Sequence, residues 1–170
     1  IPNDTNATFA LIDAVQKEPG IETAIARSGQ RILLGGGAYA DILFPDRDVS
    51  TYETNTGSIV MRVVYGDTSF MLTGDAPSEI EDYLVGRDGA KLQVTVLKAG
   101  HHGSRNSTDA LWLKTLAPDL VVISAGKDNA YGHPHTETLE RIRAQGAEIV
   151  GTAEEGTLTF ISDGEAVTRK

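Results

Sequence analysis

Two strings constrain this chain more than anything else in it: Leu72-Thr73-Gly74-Asp75 and Lys98-Ala99-Gly100-His101-His102-Gly103-Ser104. Each follows a β-branched, apolar run, Met61 to Leu72 in the first case and Leu92 to Leu97 in the second. A strand that stops at glycine releases its next side chain at the sheet edge, because glycine permits sharp turns and close backbone approach. Two strands ending this way deliver one carboxylate and a pair of imidazoles to a common cleft. Asp and His together suit Zn or Mn, and an open coordination position lets bound water ionise near neutral pH, the usual basis of a hydrolytic metal site. Asp75 has a competing role as a cap for the helix that Pro77 opens. His101 and His102 are adjacent, so on an extended backbone they point in opposite directions. His102 is the expected metal ligand and His101 the group on the substrate side.

The rest of the chain reads as alternating strands and helices. A helix is expected over Thr5 to Lys17, capped by Asp4 or Thr5, with Phe9, Ala10, Ile12 and Ala14 as a short packing face. Strands follow at Arg31 to Leu34 and Tyr39 to Phe44 around Gly35-Gly36-Gly37, a triplet without the Lys-Ser/Thr of a phosphate cradle and so read as a turn. Ser58 to Tyr65 and Thr68 to Leu72 form a hairpin. Then come a helix from Pro77 to Leu84 with Glu79, Glu81 and Asp82 near its positive end, a strand Leu92 to Leu97, a helix Thr108 to Leu116 and a strand Leu120 to Ser124. A helix Thr136 to Gln145 and strands at Glu148 to Val150, Thr157 to Ile161 and Ala166 to Thr168 complete it. The fold class is α/β, a mixed sheet flanked by helices. Ser104, Asn106 and Ser107 suit turns and caps; no base with an orienting partner marks either serine as a nucleophile.

In order, Asn55-Thr56-Gly57-Ser58-Ile59-Val60, the Asp75 and His101–His102 strings, and Ser124-Ala125-Gly126-Lys127-Asp128-Asn129-Ala130-Tyr131-Gly132-His133-Pro134-His135 resemble the C-terminal metallo-β-lactamase-like domain of the ComEC family of DNA-internalisation competence proteins. The resemblance runs from Asn55 to Ile161; residues 1–54 show only general compatibility. It implies an αββα sandwich, of which residues 1–170 form the C-terminal portion as one domain. It also implies Asp75 as a carboxylate ligand, bridging two metals in the intact fold, and a loop at Tyr131 to His135 that closes over the active centre. His133 is then a second ligand or a proton-handling group, against the alternative of a loop histidine bonded to backbone. Asn129 and Tyr131 position that loop, and Arg105 and Lys127 are the cations expected at its rim. One departure stands out. Such enzymes carry an H-x-H-x-D-H-type cluster upstream, and no His precedes His101 here, nor does Pro2-Asn3-Asp4 replace it. The chain is therefore expected to be part of a longer protein and to bind a divalent metal, Zn or Mn, weakly on its own.

A net charge of −9 disfavours unaided adhesion to a phosphate backbone, although a bound divalent cation would invert the local potential. The absence of Cys excludes disulfides and thiolate metal sites. No stretch has the apolar length to span a bilayer. The resemblance implies a soluble, extracytoplasmic domain of a bacterial membrane protein, touching the membrane only through its parent chain, with DNA as substrate and phosphodiester hydrolysis as reaction. The alternative is a non-catalytic structural or interaction domain without a complete metal centre. An incomplete fold exposes a sheet edge, which makes a homodimer a further expectation.

Overall fold

A computed structural model describes residues 5–170; the capping role considered for Asp4, and Pro2 and Asn3 with it, lie outside the described residues. The first helix, α1 (Asn6–Lys17), is capped by Thr5, whose side-chain oxygen accepts from Thr8 N at 3.2 Å. It differs from expectation in one respect: none of its residues is buried, and Phe9, Leu11 and Ile12 remain exposed. Its apolar face does not pack on the core.

Seven strands form one sheet in sequence order: β1 (Arg31–Gly35), β2 (Ala38–Phe44), β3 (Val60–Tyr65), β4 (Thr68–Leu72), β5 (Val96–Lys98), β6 (Leu120–Ile123) and β7 (Glu148–Gly151). The first four are an antiparallel meander. Gly35, Gly36 and Gly37, all at positive φ, make the β1–β2 turn. From β4 onward the pairing is parallel. Each parallel step requires a crossover, supplied in turn by α2 (Ser78–Asp88), α3 (Ala110–Leu116) and α4 (Thr136–Ala144). Right-handed crossovers stepping in one direction put their helices on one face. Met71, Leu97, Val121 and Ile123 from the sheet accordingly pack with Leu84, Trp112, Leu116 and Ile142 from the helices. A short helix, α5 (Thr152–Glu155), follows β7, and a separate hairpin of β8 (Phe160–Ser162) and β9 (Val167–Arg169) bonds to the β3–β4 turn through Asp67 N and the Gly164 carbonyl.

The structure is thus the expected mixed α/β sheet flanked by helices. The expected strand Leu92 to Leu97 is mostly something else. Gly89–Leu92 is a 3₁₀ turn, and only Val96–Lys98 pairs as strand. Leu92 and Val94 are buried there because they fill the core, not because they lie on a ladder. The helix after Pro77 runs a turn further than expected, to Asp88.

Candidate functional site

Parallel strands that share a direction present their carboxyl ends along one edge, where ligands of open α/β sheets gather. The loops after β4, β5 and β6 carry Asp75, His101–His102 and His133, so the topology brings all three strings together. Backbone hydrogen bonds hold them there. His101 N donates to the Gly74 carbonyl at 3.0 Å, and His135 N donates to the Gly103 carbonyl at 3.0 Å. Gly103 sits at φ +82, and a Cβ on it would lie 2.7 Å from Pro134 Cβ, so only glycine lets the second and third loops touch.

All four histidines of the chain converge in consequence. The ring of His133 lies 5.5 Å from that of His101, 6.3 Å from that of His102 and 4.9 Å from that of His135, centre to centre. Contrary to the expectation for this pair, His101 and His102 are not on extended backbone. Both occupy the left-handed region, at φ 47 and 58, inside the 3₁₀ segment Gly100–Gly103. They therefore do not project to opposite sides; both rings reach the His133 neighbourhood.

The closest pair is Asp75 and His102. Asp75 does not cap α2: Pro77 holds the cap position with no side-chain bond. Instead Asp75 Oδ1 lies 3.6 Å from His102 Nε2. His102 Nδ1 sits 2.7 Å from the Ser124 carbonyl oxygen. A carbonyl only accepts, so Nδ1 carries a proton, and Nε2 faces the carboxylate with either a second proton or its lone pair. Two lone pairs facing each other repel unless a cation, proton or metal, lies between them. Tetrahedral ligands about 2.1 Å from a metal stand roughly 3.4 Å apart, close to this separation. The Nδ1–H to carbonyl bond is also the arrangement that orients metal-bound histidines. Yet among the described residues no group of three or more His, Cys, Asp or Glu is placed to hold a metal ion. The donors present fit one edge of a metal centre and not a whole one.

Asn129 organises the third loop as expected. Its Oδ1 accepts from Tyr131 N and His133 N, and its Nδ2 donates to the carbonyls of Gly126 and His133. With His102, Ser124, Tyr131 and His133 it lines a cavity of about 440 Å³ beside the Asp75–His102 pair. Tyr131 is 78% exposed and stacks on His133, with ring centres 5.8 Å apart. Burial, and then the positive ends of the neighbouring imidazoles His135, His101 and His102, hold the His133 pKa below the ordinary value.

The two cations expected at the rim are both solvent-facing. Arg105 is engaged by Glu137 at 3.5 Å, while Lys127 is exposed on the third loop. The cation that acts on Asp75 is Lys98, half-buried at the end of β5, its pKa lowered by burial against the opposing pull of Asp75. It stands inside the His string, three residues before His101, and its place at the strand end was the signal for it. His135 is likewise part of the cluster, its Nδ1 accepting from Arg105 N at 3.1 Å.

No family model matches the chain. Curated relatives do. Over 108 residues, 64% of the chain, it is 39% identical to "Competence protein ComA" of Neisseria gonorrhoeae. It is 35% identical over 106 residues to "ComE operon protein 3" of Bacillus subtilis, and 35% identical over 120 residues to "Recombination protein 2" of Haemophilus influenzae. The chain has homologues among competence proteins. The matched stretches span only 16%, 14% and 15% of those relatives. No helix among the described residues is long and apolar enough to cross a membrane.

Proposed function

We propose that this chain is the site-bearing part of a metal-dependent hydrolase, in a metallo-β-lactamase-like fold, that cleaves phosphodiester bonds of DNA during competence-type DNA uptake. The observation that carries the reading is the pair of atoms able to ligate a metal, Asp75 Oδ1 and His102 Nε2, held face to face at 3.6 Å. The similarity to proteins named for competence and recombination supports the context. Asp75 and His102 would hold a divalent metal, Zn or Mn, whose further ligands come from elsewhere in a longer protein. When bound, such a metal supplies charge stabilisation and a water acidic enough to ionise near neutral pH. Ser124 keeps His102 in the ligating tautomer. His101 and His133, whose rings each lie 6.3 Å from that of His102, are the groups that would move a proton at the reacting oxygens, and the cavity walled by Asn129 and Tyr131 would receive the strand. In this reading the domain stands outside the cytoplasm, carried by membrane spans of its parent.

The test is a nuclease assay on a longer protein that contains these residues. Asp75→Ala or His102→Ala should abolish metal-dependent cleavage while the near-ultraviolet signal of buried Trp112 is kept. His101→Ala should lower turnover more than metal occupancy. Cleavage that survives both ligand changes would sink the assignment.

A second reading has its own observation: the described residues form no complete metal centre. A non-catalytic interaction domain would show that too. A longer protein that binds no metal and cuts no DNA, yet needs this domain for uptake, would favour it.

A further inference from the structure

The segment that carries His101 and His102 is held in a conformation its residues do not prefer. His101, His102 and Thr108 all have positive φ, at 47, 58 and 57, a region that non-glycine residues avoid. Such a backbone persists only where its surroundings fix it. What fixes this one begins at a residue with no part in the site. Glu81, on α2, is 1% exposed. Its Oε1 accepts from Thr108 N at 2.7 Å and its Oε2 from Asp109 N at 2.9 Å. Thr108 Oγ1 in turn accepts from Gly100 N at 2.9 Å, while Ser107 Oγ donates to the Gly100 carbonyl at 2.9 Å. The peptide group before Gly100 is thus anchored to Thr108, which Glu81 holds, and the one after it, immediately before the histidine pair, to the adjoining Ser107. Gly100 itself packs against the carboxylate: a Cβ there would come 3.3 Å from Oε1.

We propose that Glu81 is a positioning residue, a buried latch that sets the His101–His102 segment in its left-handed conformation and so aims His102 at Asp75. The functional role rests on the reading of these histidines as site residues; the latch itself does not. Glu81 lies on the helix that directly follows the Asp75 loop, so one rigid element fixes both members of the pair. A carboxylate is the side chain this place requires. It offers an acceptor to each of two parallel N–H groups, whereas Gln would turn an NH₂ against one of them. Burial raises the Glu81 pKa to about 7 against the opposite pull of the two backbone N–H bonds. The charged groups facing it are Asp109 at the start of α3, which raises it, and Arg141 of α4, which lowers it.

The experiment is residue-resolved amide hydrogen exchange and proton NMR on the metal-free chain, comparing wild type, Glu81→Gln and Leu84→Ala. Leu84 is a buried core residue of the same helix and serves as the control for general destabilisation. In Glu81→Gln, exchange at Gly100, Thr108 and Asp109 should quicken roughly ten-fold relative to β5 and β6, the effect of one lost buried hydrogen bond. The strong intraresidue HN–Hα cross-peaks that mark left-handed His101 and His102 should weaken. Leu84→Ala should quicken exchange across the core and keep those cross-peaks. Protection and cross-peaks unchanged in Glu81→Gln would overturn the latch. Should that variant not fold, the wild type decides: the amides of Gly100, Thr108 and Asp109, held as described, should exchange as slowly as those of β5 and β6, and unprotected amides there overturn the latch. Because no metal is present, failure of the metal reading leaves this result standing, and the reverse.

Discussion

The imidazole of His102 turns its Nδ1 to the carbonyl oxygen of Ser124, 2.7 Å away, and its Nε2 to Asp75. The two contacts join the loops after β4, β5 and β6 into one constellation.

Gly103 is where the second and third loops meet. Gly103→Ala would place a side chain at φ +82 and 2.7 Å from Pro134 Cβ. We expect a loss of about 1–3 kcal/mol in chemical denaturation. The His133 ring signals should shift together with those of His101, because the contact between their loops opens. A neutral effect on both would mean that the loops are not held as described.

Trp112 is fully buried where α3 meets the sheet. Trp112→Leu should cost less than Trp112→Ala, for which about 3–5 kcal/mol is expected from a large core truncation. Calorimetric or denaturant unfolding measures both.

Glu81 gives the protein a pH-dependent stability of definite sign. Its folded pKa lies near 7, above the ordinary carboxylate value of 4.5. The folded state therefore holds the proton more tightly, and the contribution is present below about pH 4.5 and lost as pH rises through about 7. The shift corresponds to an effect on the order of 3 kcal/mol. Denaturation midpoints measured across that window should carry this downward slope in wild type and lose it in Glu81→Gln, whatever the variant's absolute stability.

Legibility followed how local each feature is. Helices and hairpins written by caps, glycines and apolar periodicity were readable, and with them the order of the three site loops, since strand ends carry Asp75, His101–His102 and His133 to one edge. The conformation at the His pair was not. Its left-handed φ depends on Glu81, twenty residues upstream, and Glu81 in sequence looks like one more acid in the first turn of a helix. Leu92 to Leu97 misled for a related reason: a buried apolar run has the same composition whether it lies on a strand or fills a core from a 3₁₀ turn. Phe9, Leu11 and Ile12 show the converse, an apolar helix face that the described residues leave exposed. Lys98 was in plain view inside its string, but only the fold shows that it is half-buried and acts on Asp75.

Titration of this chain with Zn or Mn, followed by imidazole nitrogen NMR and calorimetry, tests the central claim most directly. Zn serves the NMR arm and both metals the heat measurement. The account predicts weak, saturable binding that perturbs His102 Nε2 while Nδ1 keeps its bond to Ser124, and that disappears in Asp75→Asn. Binding that leaves His102 unchanged, or that persists undiminished in Asp75→Asn, would contradict it.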